Sequence, residues 1–398
     1  MNKKILKLLP ILGPGWVVMM ADLDSPSIIT AAQSGAQYQG HLIVFLLFLA
    51  FPLFLVQDTA SRIGAVTGKS LGKIITENFG HRWTIFAVAS TTVIDFSAYV
   101  GEFAGAAAAS VLLGIPVIIT VIVLLLVHSI ILFSGKYNKI EVILVLLSFV
   151  LFIFAILDFY VHPERNIISS MNPIVYNKNF IFLMAANLGA VLMPWMLFYH
   201  QAADVDRGIN LSNMKRETRG TIIGAAVSEI LMVSIVIFAW KISESHFDSN
   251  NPVGSVGAYL YSIMGPIGPF LFAMGLIVAS LLALMVISMS MSYSVSDALK
   301  IGGSFNSKYK ENRLFYNIYL FEIIPGAIIV LFFNNFIQIA LSIMVLNAIV
   351  LAFPLIAVIK ISSSKSIMGK YAISNLRKGL LYLILIGSIA AGIISFIP

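Results

Sequence analysis

Apolar stretches of about 20 residues recur along almost the whole chain, separated by short polar connections. Each is long enough, as a helix, to cross a hydrocarbon core about 30 Å thick. The pattern predicts about eleven helical spans near 11–33, 41–57, 84–113, 115–134, 140–160, 179–200, 220–240, 266–294, 314–333, 336–359 and 379–397. No room is left for a sizeable soluble domain, so the expected fold class is an all-α integral membrane protein.

Polar and helix-breaking residues interrupt two of these spans at their centres. The first carries Gly13, Pro14 and Gly15, then Asp24, Ser25, Pro26 and Ser27; the sixth runs from Asn187 through Gly189 and Ala190 to Met193 and Pro194. A proline inside a span removes an N–H and frees a carbonyl, which must then be satisfied within a protein-lined or wet cavity. Spans one and six are five spans apart. That spacing predicts a five-plus-five inverted repeat with two broken helices meeting at the membrane midplane to build a substrate site. The repeats are expected over 1–160 and 179–360, with an additional helix in 361–398.

Composition agrees with this reading: 59% of residues are apolar and 11% charged, against about 45–50% and about 25% in soluble domains. A net charge of +7 suggests nucleic acid only until the positions of the basic residues are considered. With the N-terminus cytoplasmic, all of the 25 Lys and Arg fall on the cytoplasmic side except Arg165, Lys178 and Lys241. The same side receives Lys3, Lys4 and Lys7 of the N-terminal MNKKILKLLP, a basic and apolar start with no small-residue cleavage site after it, which reads as part of the first span. The expectation is a multi-pass protein of a bacterial-type plasma (inner) membrane with its C-terminus outside, bound to no nucleic acid and no obligate protein partner. The absence of cysteine excludes disulfides and thiolate metal sites.

Within that frame, Asp24 is the residue most in need of a chemical reason. An ionised carboxylate near the centre of a span costs at least ~2.5–3.5 kcal/mol unless compensated, and a cation is the simplest compensation. Asp22 points about 200° away on a helix, which assigns it to the aqueous approach, although the two acids can exchange roles. Asp24, Ser27 and Asn187 offer hard oxygen ligands suited to Mg2+, Ca2+ or Mn2+; Met193, one of 16 methionines, is the soft donor beside the breaks or else a packing residue. Glu102 lies between Gly101 and Gly105, a small-residue pair that permits close helix approach, and Asp95, Glu229 and Glu322 are further acids within spans. His128 reads as structural and His200 as an ion-path candidate. No histidine pair has metal spacing and no catalytic motif appears, so neither an enzyme nor a cofactor is expected.

Four stretches carry a resemblance: GPGWVVMMADLDSPSIITAAQSGA at 13–36, VQDTASRIGAVTGKSLG at 56–72, GAVLMPWMLFYH at 189–200 and VLNAIVLAFPLIAVIKISSSKSIMG at 345–369. Together the sequence resembles the Nramp divalent-metal transporters, which implies a LeuT-like fold. Where that family has an Asp-Pro-Gly-Asn break, this chain has Asp24, Ser25, Pro26 and Ser27. The family's Met-Pro-His reads Met193, Pro194 and Trp195, while His200 matches its second histidine. A three-residue shift of register instead brings Asn187 and Ala190 to the site, and the sequence leaves both registers open. Tyr99 and Glu102 stand for the family's acidic pair, Tyr319 for its arginine, and Asn347 lies one position from its site glutamine.

The losses resemble the Nramp-related magnesium transporters, in which a harder site accepts a partly hydrated ion with little or no proton coupling. The implied function is uptake of Mg2+ and/or Mn2+ by alternating access. The ligand set is expected from Asp24, Ser27, Asn187, Ala190, Met193 and Asn347, and the ion path or proton route from Asp22, Glu102 and His200. A proton-coupled Mn2+/Fe2+ symporter is the alternative, and a sodium-coupled amino-acid symporter of the same fold a more distant one.

Overall fold

The computed structural model describes residues 12–133, 136–161, 177–243, 247–248, 250–332 and 336–396; Lys3, Lys4, Lys7 and Arg165 lie outside them. Among the described residues every regular element is helical. The first half contains α1 (Pro14–Ala21), α2 (Ser25–Tyr38), α3 (Ile43–Thr67), α4 (Leu71–Phe79), α5 (His81–Leu112), α6 (Val117–Leu132), α7 (Tyr137–Val150) and α8 (Ile153–Tyr160). The second contains α9 (Lys178–Val191), α10 (Pro194–Arg207), α11 (Met214–Ser243), α12 (Pro252–Met264), α13 (Ile267–Ala298), α14 (Arg313–Phe321), α15 (Ile323–Phe332), α16 (Phe336–Val350) and α17 (Ala352–Ser363); α18 (Asn375–Phe396) follows.

Nine helical stretches among the described residues are long and apolar enough to cross a membrane, and Val117–Leu132 is a shorter apolar helix. The longest, Ser25–Thr67, turns at Gln39–Leu42 and so belongs to two spans. Dividing it and adding the shorter helix gives the eleven spans read from the sequence. The second span runs ten residues past its expected end, to Thr67. Its extension contains Gln57, Asp58, Thr59 and Ser61, which are buried against protein rather than lipid, so hydropathy alone ended it early. The helices α4 and α12 were not expected, being too short and too mixed in polarity to register as spans.

The two halves pack as counterparts: α2 lies on α11 as α10 lies on α3, and α5 packs along α13. Close approach needs glycine at the crossings. A Cβ on Gly35 would stand 2.2 Å from the Val236 carbonyl of α11, and one on Gly189 would stand 1.7 Å from the Met344 carbonyl of α16. The outside is apolar, with Val93, Ile130, Phe159 and Leu383 exposed, while Asp22, Asp24, Glu102, Asn187, His200 and Asn347 are buried. Ionisable groups facing inward in a span are the mark of a protein that uses them.

Candidate metal centre

Both breaks fall where the sequence placed them. The first span stops at Ala21 and restarts at Ser25; the sixth stops at Val191 and restarts at Pro194. The two breaks create four helix ends, two offering carbonyls and two offering amides, and the half-helices pack in pairs, α9 on α2 and α10 on α1. The carbonyl ends carry partial negative charge, the amide ends partial positive charge. Pro26 has no N–H for the carbonyl of Asp22, and Pro194 none for that of Ala190, because each is the residue four places on.

Asp24 caps α2. Its Oδ1 accepts the Ser27 N–H at 2.8 Å, the usual bond from an N-cap side chain to the third residue of its helix. The same carboxylate offsets the positive end of α2, which otherwise repels a cation. Its Oδ2 is buried with no hydrogen-bond partner. A buried carboxylate oxygen left bare is costly and calls for a cation or a proton.

Close packing brings α5 against the break: a Cβ on Gly101 would stand 3.0 Å from Pro26 Cγ, and one on Gly105 2.1 Å from Ser25 Oγ. Between them Glu102 Oε2 accepts from Ser25 N–H at 3.3 Å and from Ser25 Oγ at 3.0 Å, while Oε1 is bare. As anions the Glu102 and Asp24 carboxylates repel each other across the break. On the other side Asp22 faces Glu229 of α11 as well as Asp24, and neither Asp22 nor Glu229 has a hydrogen-bond partner for either oxygen. Carboxylates thus run from Glu229 through Asp22 and Asp24 to Glu102, all inside the bundle.

The remaining wall is α16, drawn in at Gly189. Ser27 Oγ and Asn347 Nδ2 both donate to Met344 Sδ at 3.9 Å, leaving Asn347 Oδ1 bare. Met344 is a candidate that the sequence reading missed; its spacing of three from Asn347 puts both on one helix face, and that was the available signal. Asn187 is not brought to Asp24. Its Nδ2 bonds Ser34 Oγ at 2.8 Å and the Leu183 carbonyl at 2.7 Å, and Ser34 is about 15 Å along α2 from Asp24. Ala190 and Met193 flank the break itself, both fully buried, with Met193 in extended backbone at the start of α10.

Two of the positions that depart from the resemblance, Tyr99 and Tyr319, lie in a polar chain that includes Glu322 and His128. Tyr99 OH donates to Glu322 Oε1 at 3.1 Å and meets Ser288 Oγ at 3.1 Å. His128 Nε2 contacts the same Ser288 Oγ at 3.0 Å, and its ring stacks on Tyr319 at 4.3 Å between centroids. Two phenols stand where the resemblance has an acid and an arginine, so the exchange leaves the local charge unaltered. Trp195 turns its carbonyl to Ser290 Oγ at 2.8 Å, and its indole N–H has no partner. His200 lies further along α10, between Gln57 and the carboxylates Asp204 and Glu217.

Comparison with known proteins follows the same lines. The chain is 26% identical over 376 residues to the divalent metal cation transporter MntH of Bacillus subtilis (strain 168), an alignment covering 91% of this chain and 86% of that one. It is 26% identical over 309 residues to MntH of Staphylococcus aureus (strain Newman), covering 74% and 68%. Among solved structures, the Eremococcus coleocola manganese transporter superposes with a TM-score of 0.78 at 19% identity, covering 99% of this chain and 88% of that one. A sodium-coupled sialic acid symporter in an outward-open state superposes at 0.60 with 14% identity, covering 97% and 90%. These two likenesses establish the fold, an all-helical LeuT-like architecture with broken helices one and six. The family described as natural resistance-associated macrophage protein-like matches residues 15–398, so the chain belongs to the Nramp family, a family of membrane transporters and not of enzymes.

Proposed function

We propose that this protein moves divalent metal ions across the membrane by alternating access, with Mg2+ and Mn2+ as cargo and weak or no coupling to protons. The observation that carries the reading is the bare Oδ2 of Asp24 at the break of the first span. Around it the donors are mostly hard oxygens: the Asp22 and Ala190 carbonyls, the Ser27 hydroxyl and the Asn347 amide oxygen. Such a set suits ions that hold water tightly. The thioethers of Met193 and Met344 add affinity for Mn2+ without helping Mg2+. The metal is cargo, and no further cofactor is required.

Weak coupling follows from neutral groups at Tyr99, Tyr319 and Trp195, which leave fewer sites along which a proton can be passed. Orientation follows from charge: Arg62, Lys69, Lys73 and Arg207 lie toward one end, which the positive-inside rule makes cytoplasmic. One observation favours the proton-coupled Mn2+/Fe2+ alternative, namely Glu102 with its bare Oε1 against Asp24. The sodium-coupled amino-acid reading has only the shared fold behind it. A carboxylate substrate would also meet Asp24 where it needs a helix amide end.

The test is uptake of Mg2+ and Mn2+ into proteoliposomes with a pH dye in the lumen, for wild type and Asp24→Ala. Entry of both ions without acidification, abolished in the variant, is the expected result. Mn2+ entry with acidification and no Mg2+ flux sinks the reading in favour of the symporter. Undiminished transport by the variant removes Asp24 from the site.

A further inference from the structure

Beyond the central break, α10 and α11 bring together a second set of ligand groups. His200, Asp204 and Glu217 each offer one ligand atom, all within 4.8 Å of one another, and all three residues are buried. His200 Nε2 lies 3.4 Å from Glu217 Oε1 and 3.7 Å from Asp204 Oδ2. Two ligands on one ion at about 2.1 Å stand about 3–4.2 Å apart, so these separations suit a single ion with little movement. Helix geometry puts His200 and Asp204 one turn apart on one face, and His200 about 10 Å along α10 from Met193.

The groups are held in place from outside the cluster. Glu217 Oε1 accepts the Gly15 N–H of α1 at 2.5 Å, Asp204 Oδ2 accepts from Ser61 Oγ at 2.5 Å, and His200 Nδ1 meets Gln57 Oε1 at 3.3 Å. A side chain other than glycine's does not fit beside Glu217, since a Cβ at Gly13 would stand 2.7 Å from Glu217 Oε2 and one at Gly15 2.7 Å from Oε1. Asp204 Oδ1 remains bare within the protein. Charge makes the same point. Among the described residues, Asp204, Glu217 and Glu141 share the guanidinium of Arg207, which pairs with Glu141 at 2.5 Å. Three carboxyl groups gathered beside one guanidinium favour a further cation among them.

We infer that His200, Asp204 and Glu217 form a second divalent-cation site, separate from the central break and toward the basic end of the bundle. One imidazole with two carboxylates selects a transition-series ion such as Mn2+ over Mg2+, for which imidazole is a poor ligand. Glu217 also caps α1, so an ion held here joins α1, α10 and α11 at one point. Ion access depends on the transport reading above; binding itself does not.

The experiment counts Mn2+ bound by the full-length protein in detergent, by electron paramagnetic resonance, in an Asp24→Ala background that silences the central site. One Mn2+ per chain is expected to remain, with modulation from a coordinated nitrogen that disappears on adding His200→Gln. Adding Asp204→Asn, which keeps the side-chain volume, is expected to weaken this binding at least tenfold. Size exclusion and melting of each variant check that it remains folded. The inference is overturned if the Asp24→Ala protein binds no Mn2+, or if the bound ion shows no nitrogen coupling and ignores Asp204→Asn. A wild type that transports metal but binds a single Mn2+ keeps the transport reading and loses this one. Nitrogen-coupled Mn2+ in a chain that moves no metal does the reverse.

Discussion

Gly189→Ala tests how the centre is assembled without touching any of its ligands. An alanine Cβ at this position would stand 1.7 Å from the Met344 carbonyl oxygen and 2.8 Å from its carbon. Real Cβ contacts essentially never fall under 3.0 Å, so α9 and α16 must separate by at least about 1.3 Å at that point. Both atoms belong to helix backbone, which cannot swing aside as a flexible side chain does. Overpacking of this kind costs about 1–3 kcal/mol, which a melting curve in detergent resolves. The larger effect is on geometry. Met344 carries Ser27 and Asn347 on its sulfur, whereas metal sites tolerate displacements of only about 0.2 Å. The variant is expected to insert and remain monodisperse, melt lower than wild type, and lose most uptake of Mn2+ and Mg2+ in proteoliposomes. Gly387→Ala on α18 is the control, since nothing lies within 4 Å of its Cβ. Wild-type melting and uptake in Gly189→Ala refute the argument that this crossing sets the site.

Replacing Met344 by alanine removes a soft donor and leaves every oxygen, so Mn2+ should lose its advantage in competition uptake while Mg2+ flux survives; an equal fall for both ions contradicts the hard-oxygen reading. Asp58 lies 2.7 Å from Arg62 Nε and 2.5 Å from Arg377 NH2, and accepts from Thr218 Oγ1 at 2.6 Å. Breaking a buried ion pair costs about 3–5 kcal/mol, and partial exposure of both arginines places Asp58→Asn below that range. A lower melting temperature with normal ion selectivity is expected, and an unchanged melt shows that α18 is fastened by other contacts.

Much of this was legible in the sequence because the membrane allows few solutions. Apolar length located the spans, and Pro26 and Pro194 located the breaks, since a proline acts through its own covalent structure. Glu102 was legible for a similar reason, flanked by the glycines that admit α5 to the break. What escaped was set by contacts between distant segments. Asn187 looked like a ligand because it offers a hard oxygen close to the second break, and its Nδ2 is held instead by Ser34, 153 residues away. Met344 was one methionine among 16, marked only by its distance from Asn347 along a turn. Asp204 and Glu217 sit near helix ends, where acids usually face water, and only the folded chain shows α1 and α3 covering them. The second span ended early in the reading because a helix wrapped by protein needs no apolar face there.

A main-chain oxygen at position 190 belongs to no particular side chain. Any residue that fits between the helices leaves it intact, so a substitution tolerated at Ala190 says nothing against its use as a ligand. What removes that oxygen is a change four residues away, where a residue with an N–H in place of Pro194 lets the helix close over it. The same holds for the carbonyl of Asp22 and Pro26. For this proposed pair of donors, mutational sensitivity and chemical role are found at different addresses in the chain.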